Sequence, residues 1–104
     1  MGRDQRYSVR LSKQARKDLD ILLASELKGK ATAMLDLLQE DPFRSPPPFE
    51  RMKGDLKKYY SRRLNSEHRV VYEVLLDEAE EFEGIVVVAR MRTHYRGIIP
   101  AIFL

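Results

Sequence analysis

The first forty residues are patterned as one short strand followed by two amphipathic helices. Residues 7–11 alternate between apolar and polar side chains, which is typical of a strand. Ser12 predicts the N-cap of a helix over residues 13–24. Ser25 and Gly29 weaken the helical pattern that follows, so two helices are predicted instead of one long helix. Their apolar faces are formed by Ala15, Leu19, Leu22 and Leu23 in the first helix, and by Leu27, Ala31, Leu35 and Leu38 in the second.

A proline-rich connector separates these helices from the rest of the chain. Asp41-Pro42 is expected to end the second helix, because proline cannot continue it. Residues 45–48 read Ser-Pro-Pro-Pro, which predicts a stiff, extended segment that delivers Phe49 and Glu50 to the sheet.

The second half of the chain predicts an antiparallel meander. Residues 60–64, 69–76 and 84–92 are rich in β-branched and aromatic side chains, and Asn65-Ser66 supplies the turn between the first two runs. The order of elements indicates a single α+β domain over residues 1–104, with two helices on one face of a twisted antiparallel sheet. On the last strand we expect Val87, Ala89 and Met91 to face the helices, and Val86, Val88, Arg90, Arg92 and His94 to lie on the open face.

Charge is predicted to segregate to the two ends of the meander. The net charge is only +3, but strands of about eight residues separate the two ends by ~25 Å. That distance exceeds the Debye length of about 8 Å, so the acidic end cannot neutralise the basic end. The basic end would attract a phosphate backbone. It contains Arg62, Arg63, Arg69, Arg90, Arg92 and Arg96, and the acidic end contains Asp77, Glu78, Glu80, Glu81 and Glu83.

Composition excludes several classes of chemistry. The chain has no cysteine, so disulfides and thiolate catalysis are excluded. Two histidines and an acidic run without EF-hand spacing predict neither a metal site nor any other cofactor. No stretch has the 18 or so apolar residues of a membrane span, and no signal segment is recognised. Cytoplasmic location is therefore the expectation.

Three segments together resemble a known family. Residues 50–56 read Glu-Arg-Met-Lys-Gly-Asp-Leu, residues 60–72 carry Tyr-Ser-Arg-Arg-Leu-x-x-Glu-His-Arg-x-Val-Tyr, and His94-Tyr95 follows. In this order and spacing the segments are similar to the YoeB/Txe branch of the RelE-like bacterial toxins, over residues 7–95. The resemblance implies a microbial-RNase-like α+β fold, an mRNA endonuclease that depends on the 70S ribosome, and a cognate antitoxin as partner.

The same resemblance implies roles for four residues. Glu50 matches the general base of the family, Arg69 its phosphate-stabilising arginine, His94 its general acid and Tyr95 a tyrosine that positions the nucleotide. Cleavage of RNA without a metal requires a base, a cation and an acid, which a carboxylate, a guanidinium and an imidazole supply. The meander supports their convergence, because it brings Arg69 beside the end of the last strand. The structural alternatives are an ordinary surface carboxylate for Glu50 and a pairing of Arg69 with Glu67 or Glu73.

Further basic residues are candidates for binding RNA. Lys53 also matches a family position, and the predicted track continues through Lys57, Arg62, Arg63, Arg90 and Arg92. Tyr59 and Tyr60 either stack on bases or fill the core. A binding module without catalytic activity, holding RNA or an antitoxin, remains the rival interpretation, and a ribosome-independent nuclease is a third.

The chain continues beyond the His-Tyr pair with an apolar segment. Residues 96–104 read Arg-Gly-Ile-Ile-Pro-Ala-Ile-Phe-Leu, which is apolar enough to require burial. It could cover the open face, fill the interface of a homodimer or approach the site.

Overall fold

The computed structural model of the protein describes residues 5–93, without the side chain of Thr93. His94, Tyr95 and the predicted apolar extension over residues 96–104 lie outside the described residues. The N-terminal elements are β1 (Tyr7–Leu11), α1 (Lys13–Leu23) and α2 (Lys28–Glu40). The C-terminal elements are β2 (Glu50–Arg51), a 3₁₀ turn (Gly54–Leu56), β3 (Tyr60–Arg63), β4 (Arg69–Leu75) and β5 (Gly84–Thr93).

Polar side chains fix where the helices begin and end. Ser12 caps α1 as predicted, and its Oγ accepts a hydrogen bond from the backbone N–H of Ala15 at 3.0 Å. The hydroxyl of Ser25 donates to the carbonyl of Leu22, and its oxygen accepts from the N–H of Leu27, so the two helices are separate. Asp41 forms the C-cap of α2. No helix among residues 5–93 is long and apolar enough to cross a membrane.

The sheet has five strands in the order β1-β5-β4-β3-β2. The three strands of the predicted meander pair antiparallel, and β2 extends the sheet antiparallel to β3. β1 pairs with β5 in parallel, from Tyr7 opposite Gly84 to Leu11 opposite Val88. The α+β class is confirmed, and the parallel edge strand is an addition to the prediction.

The helices bury one face of the sheet. Ala15, Leu19 and Leu22 of α1 are buried as predicted, whereas Leu23 is 39% exposed and does not belong to the core. On α2, Ala31 and Leu38 are buried, and Leu27 and Leu35 are packed against the same cluster. The sheet contributes Val70, Tyr72, Val86, Val88 and Met91 to this core.

The predicted faces of β5 are partly wrong. Val86 and Val88 lie in the core with the helices, where the alternation had placed Val87 and Ala89. Ala89 is packed against a second cluster on the opposite face, formed by Leu56, Tyr59 and Val71. Only Met91 faces the helices as predicted.

A β-bulge explains this error. Tyr72 pairs with Val88, but the preceding residue of β4, Val71, pairs with Arg90, so β5 carries one extra residue between these pairs. An extra residue reverses the alternation of a strand. An alternation that starts from Met91 and is extended back to Val87 therefore assigns Val87 and Ala89 to the wrong face of the sheet.

Candidate active site

Glu50 and Arg69 lie next to each other on the face of the sheet opposite the helices. Glu50 on β2 is the Cα partner of Ser61 on β3, and Arg69 is the first residue of β4. Nη2 of Arg69 is 3.6 Å from Oε2 of Glu50, and Nε of Arg69 donates a hydrogen bond to Oγ of Ser61 at 2.6 Å. The structure therefore brings together two of the four predicted catalytic residues.

The two residues differ in their access to solvent. The side chain of Glu50 is 56% exposed, whereas Arg69 as a residue is 8% exposed. The carboxylate can thus be reached from outside, while the guanidinium is held in place by the sheet. Of the alternative partners considered for Arg69, Glu73 lies 3.9 Å from Nζ of Lys58, and Glu67 lies 3.6 Å from Nε2 of His68.

A cavity of about 330 Å³ opens beside the pair. Its size falls within the usual range of small-ligand sites, which begins at roughly 300 Å³. The sequence analysis did not assign three residues of its wall, Asn65, Ser66 and Glu67, to the site, although their position directly before Arg69 in the hairpin was a usable signal. The lining residues are Glu50, Arg63, Asn65, Ser66, Glu67 and Arg69.

Asn65 shapes the turn that forms this wall. Its Oδ1 accepts hydrogen bonds from the backbone N–H groups of Glu67 at 2.9 Å and His68 at 2.6 Å. An asparagine that binds the backbone two and three residues ahead stabilises a tight turn. The predicted hairpin turn is confirmed, and it fixes the start of β4 at Arg69.

The remaining two predicted catalytic residues, His94 and Tyr95, lie outside the described residues. The last described residue, Thr93, is the Cα partner of Arg69. The sequence continues from Thr93 directly to His94. Their roles stay predictions.

The basic end of the meander follows from the pairing register. Arg63 is the Cα partner of Arg69, which is itself the partner of Thr93. At the opposite end Leu75 pairs with Ile85, next to the acidic connection, where Glu83 forms an ion pair with Arg6. The register thus places Arg63 and Arg69 at one end of the strands and the acidic connection at the other, as predicted for these residues.

Lys53, Lys57 and Arg63 are exposed, as residues that bind a phosphate backbone must be. Arg92 is partly buried. Tyr59 is buried, and the ring of the partly buried Tyr60 lies 5.7 Å from that of Tyr72, so both tyrosines contribute to packing.

The prediction that Arg62 binds RNA is wrong. Arg62 is 1% exposed, and its guanidinium donates hydrogen bonds to four oxygen atoms inside the protein. Its carbon Cζ also lies 4.8 Å from the centroid of the Phe49 ring. Arg62 therefore anchors the connector that leads to Glu50. This connector also contains cis peptide bonds before Pro46 and Pro47. The acceptors are the carbonyls of Pro42 (2.9 Å), Arg44 (2.7 Å) and Pro47 (2.8 Å) and the hydroxyl of Tyr72 (3.1 Å).

Tyr72 shares this internal network. Its hydroxyl donates to the carbonyl of Pro42 at 2.7 Å while it accepts from Arg62. Burial raises the pKa of the Tyr72 hydroxyl, and the charge of Arg62 opposes this rise. The phenol consequently remains protonated and keeps its donor role at neutral pH.

Arg90 also departs from the prediction of an exposed RNA contact. Its Nε donates to Oδ2 of Asp18 on α1 at 2.8 Å, and Nη2 donates to Oδ1 at 3.2 Å. Its side chain is mostly buried against α1. Arg90 thus joins the last strand to the first helix, a structural use of the charge that the sequence pattern did not reveal.

Comparison with known proteins agrees with this geometry. The model of the YoeB-like toxins of bacterial type II toxin-antitoxin systems matches residues 7–95. Toxin YoeB of Mycobacterium bovis is 33% identical over 90 residues, which cover 85% of this chain and 98% of that toxin.

Two solved structures from Staphylococcus aureus are similar in fold. The YoeB dimer superposes with a TM-score of 0.68 at 27% identity and covers 86% of this chain and 99% of that one. The heterotetrameric YoeB-YefM toxin-antitoxin complex gives a TM-score of 0.66 at 28% identity, with the same coverage. With the family model matched over most of its length, the chain belongs to the YoeB-like toxins of bacterial type II toxin-antitoxin systems.

Proposed function

We propose that the protein is a metal-independent endoribonuclease that cuts mRNA in the A site of the 70S ribosome. The observation that carries the proposal is the placement of Glu50 beside Arg69, 3.6 Å apart, at a cavity open to solvent. A carboxylate next to a held guanidinium provides a base and a phosphate-binding cation at one phosphodiester.

The proposed reaction is an internal transfer of the phosphoryl group. Glu50 takes the proton of the 2′-hydroxyl, and the 2′-oxygen attacks the adjacent phosphorus. Arg69 stabilises the negative charge that develops on the phosphorane oxygens. His94 donates a proton to the departing 5′-oxygen, so the products are a 2′,3′-cyclic phosphate and a 5′-hydroxyl. Tyr95 positions the nucleotide, as the resemblance implies.

Exposed basic residues provide the proposed RNA-binding surface. Lys53, Lys57 and Arg63 are exposed, Arg63 lines the cavity beside Glu50 and Arg69, and Arg92 lies near the end of β5. Contacts of this kind position the backbone without reading its sequence. Because ribosomes are the proposed target, the cytoplasm is the proposed site of action.

Two protein partners are also proposed. The YoeB of Staphylococcus aureus forms a complex with YefM, and an antitoxin of the same kind is proposed for this chain. Homodimer formation is proposed from the dimer of the same relative. Growth arrest on expression of the wild-type chain alone, relieved by co-expression of the antitoxin, tests the first partnership. Harmless expression of the wild-type chain alone would count against it.

The nuclease assay uses programmed 70S ribosomes and, in parallel, naked RNA. Wild-type protein should cut only ribosome-bound mRNA, and Glu50→Gln and His94→Ala should each lower the rate by a factor of at least about 100. Glu73→Gln is the matched control, because Glu73 lies on the same face of the sheet but pairs with Lys58. It should cut at the wild-type rate.

Each other outcome points to a defined alternative. Unchanged cleavage by both Glu50→Gln and His94→Ala would reject the assigned chemistry. Salt-sensitive RNA binding by the wild-type protein without cut products would identify an inactive binding module. Equal cutting of naked RNA would identify a ribosome-independent nuclease.

A further inference from the structure

Ser61 occupies the centre of the site without being open to it. It is 1% exposed, and it is the Cα partner of Glu50 on one side and of Val71 on the other. Its Oγ accepts the hydrogen bond from Nε of Arg69 at 2.6 Å. The bond joins a charged donor to a hydroxyl oxygen, which makes it stronger than a bond between two neutral groups.

The position of this bond determines what it can do. A guanidinium is a rigid plane with five N–H groups in fixed directions. A partner at Nε therefore restrains the orientation of the plane and with it the direction of Nη2, which lies 3.6 Å from Oε2 of Glu50. The Arg69 side chain is long and flexible, and a single buried acceptor at Nε removes much of this freedom.

We propose that Ser61 is a positioning residue of the ribonuclease site. Its hydroxyl orients the Arg69 guanidinium so that the guanidinium edge faces Glu50 and the phosphate, and it contacts no substrate itself. The inference rests on the proposed function and adds to it a residue from the middle of β3. It also gives the serine a role other than that of a nucleophile, because its oxygen is buried and accepts from Arg69.

A purely structural role makes different predictions. If Ser61 only satisfies a buried donor, its loss lowers stability and leaves the chemical step unchanged at temperatures where the protein is folded. If it positions Arg69, its loss lowers kcat in fully folded protein, because misplacing a catalytic group by about 1 Å can cost roughly 100-fold.

The first experiment compares Ser61→Ala with Ser61→Thr, which keeps the hydroxyl, on programmed ribosomes below the melting temperature of each protein. We expect kcat of Ser61→Ala to fall by about 10- to 100-fold with KM within about twofold of wild type. Ser61→Thr should recover most of the lost rate. In an Arg69→Ala background, Ser61→Ala should cause no further loss.

The proposal is overturned if Ser61→Ala keeps the wild-type kcat, or if it lowers the rate by the same factor with and without Arg69. A measurement that does not depend on cleavage separates this failure from a failure of the proposed function. The Nε proton of Arg69, followed by ¹⁵N NMR, should exchange with water more slowly in wild type and Ser61→Thr than in Ser61→Ala. Equal exchange in the three proteins would refute the positioning role even if the nuclease is real.

Discussion

Asp18 on the first helix binds Arg90 on the last strand through both carboxylate oxygens. Oδ2 also accepts hydrogen bonds from the backbone N–H groups of Met91 at 2.9 Å and Arg92 at 3.2 Å. The pairing of β1 with β5 ends at Val88, so this carboxylate supports the part of β5 that β1 does not reach. The first helix consequently fixes the path of the strand that leads to His94.

Replacement of Asp18 by asparagine should destabilise the protein strongly. Asp18 is 3% exposed, and the change leaves Arg90 without its charged partner. We expect a loss of about 3 kcal/mol in the free energy of unfolding, measured by urea denaturation. Asp20→Asn on the same helix is the control, because Asp20 is exposed, and it should change stability by less than about 0.5 kcal/mol. Equal stability of the two variants would contradict the role given to Asp18.

The same carboxylate should make stability fall in acid. Burial alone would raise the pKa of Asp18, but the hydrogen bonds from Arg90 and from the backbone outweigh it and hold this pKa below the usual 3.8. The unfolded chain then binds the proton more readily than the folded one, so the contribution of Asp18 is complete above about pH 4. It is lost as the pH falls through the lower folded pKa.

Urea titrations of wild type and Asp18→Asn between pH 7 and pH 2.5 test this sign. The difference in free energy of unfolding between the two proteins should be constant near neutrality and shrink below pH 4. A difference that stays constant down to pH 2.5 would show that the pKa of Asp18 is the same in the folded and unfolded protein.

Replacement by glutamine should affect different properties at the two adjacent arginines of β3, Arg62 and Arg63. Arg62→Gln removes charged donors from buried carbonyls, so we expect a loss of about 3 kcal/mol in the free energy of unfolding. Arg63→Gln, at an exposed position, should leave stability unchanged and weaken RNA binding, with the salt slope of the logarithmic affinity reduced by about 1. Thermal melting together with RNA titration at several salt concentrations measures both effects. Unchanged melting of Arg62→Gln would contradict the internal role.

Two glycines offer a test of packing with opposite signs. A Cβ added at Gly84 would lie 3.0 Å from the carbonyl oxygen of Leu75 and 3.1 Å from the ring of Tyr7. Gly84→Ala should therefore cost about 1–3 kcal/mol through overpacking. Gly29 on α2 has no atom within 4 Å of such a Cβ, so Gly29→Ala should gain up to about 1 kcal/mol through helix propensity. Urea denaturation of both variants measures these changes in the free energy of unfolding. A Gly84→Ala variant as stable as wild type would contradict the predicted overpacking.

The sequence was informative where local chemistry decides the structure. The Ser12 cap, the turn at Asn65 and the separation of the helices near Ser25 depend on residues within a few positions of each other, and all three are confirmed. The adjacency of Glu50 and Arg69 could be anticipated from the family resemblance, whereas the predicted hairpins related Arg69 only to the end of the last strand.

Long-range contacts account for the errors. The bulge in β5 arises where α1 takes over from β1, and no pattern within residues 84–93 reports that contact. Arg62 and Arg63 are identical in sequence terms, and only the connector folded over β3 makes one of them internal. Asp18 looked like one more polar residue of an amphipathic helix, because its partner Arg90 lies 72 positions away in the chain.

The place of β5 in the sheet has a consequence for protein synthesis. The strand is inserted between β1 and β4, so β1 has no strand to pair with until residues 84–93 have been translated. A nascent chain that stops short of this point can pair β2, β3 and β4 but leaves β1 unattached, so β5 is the strand that unites the two parts of the sheet.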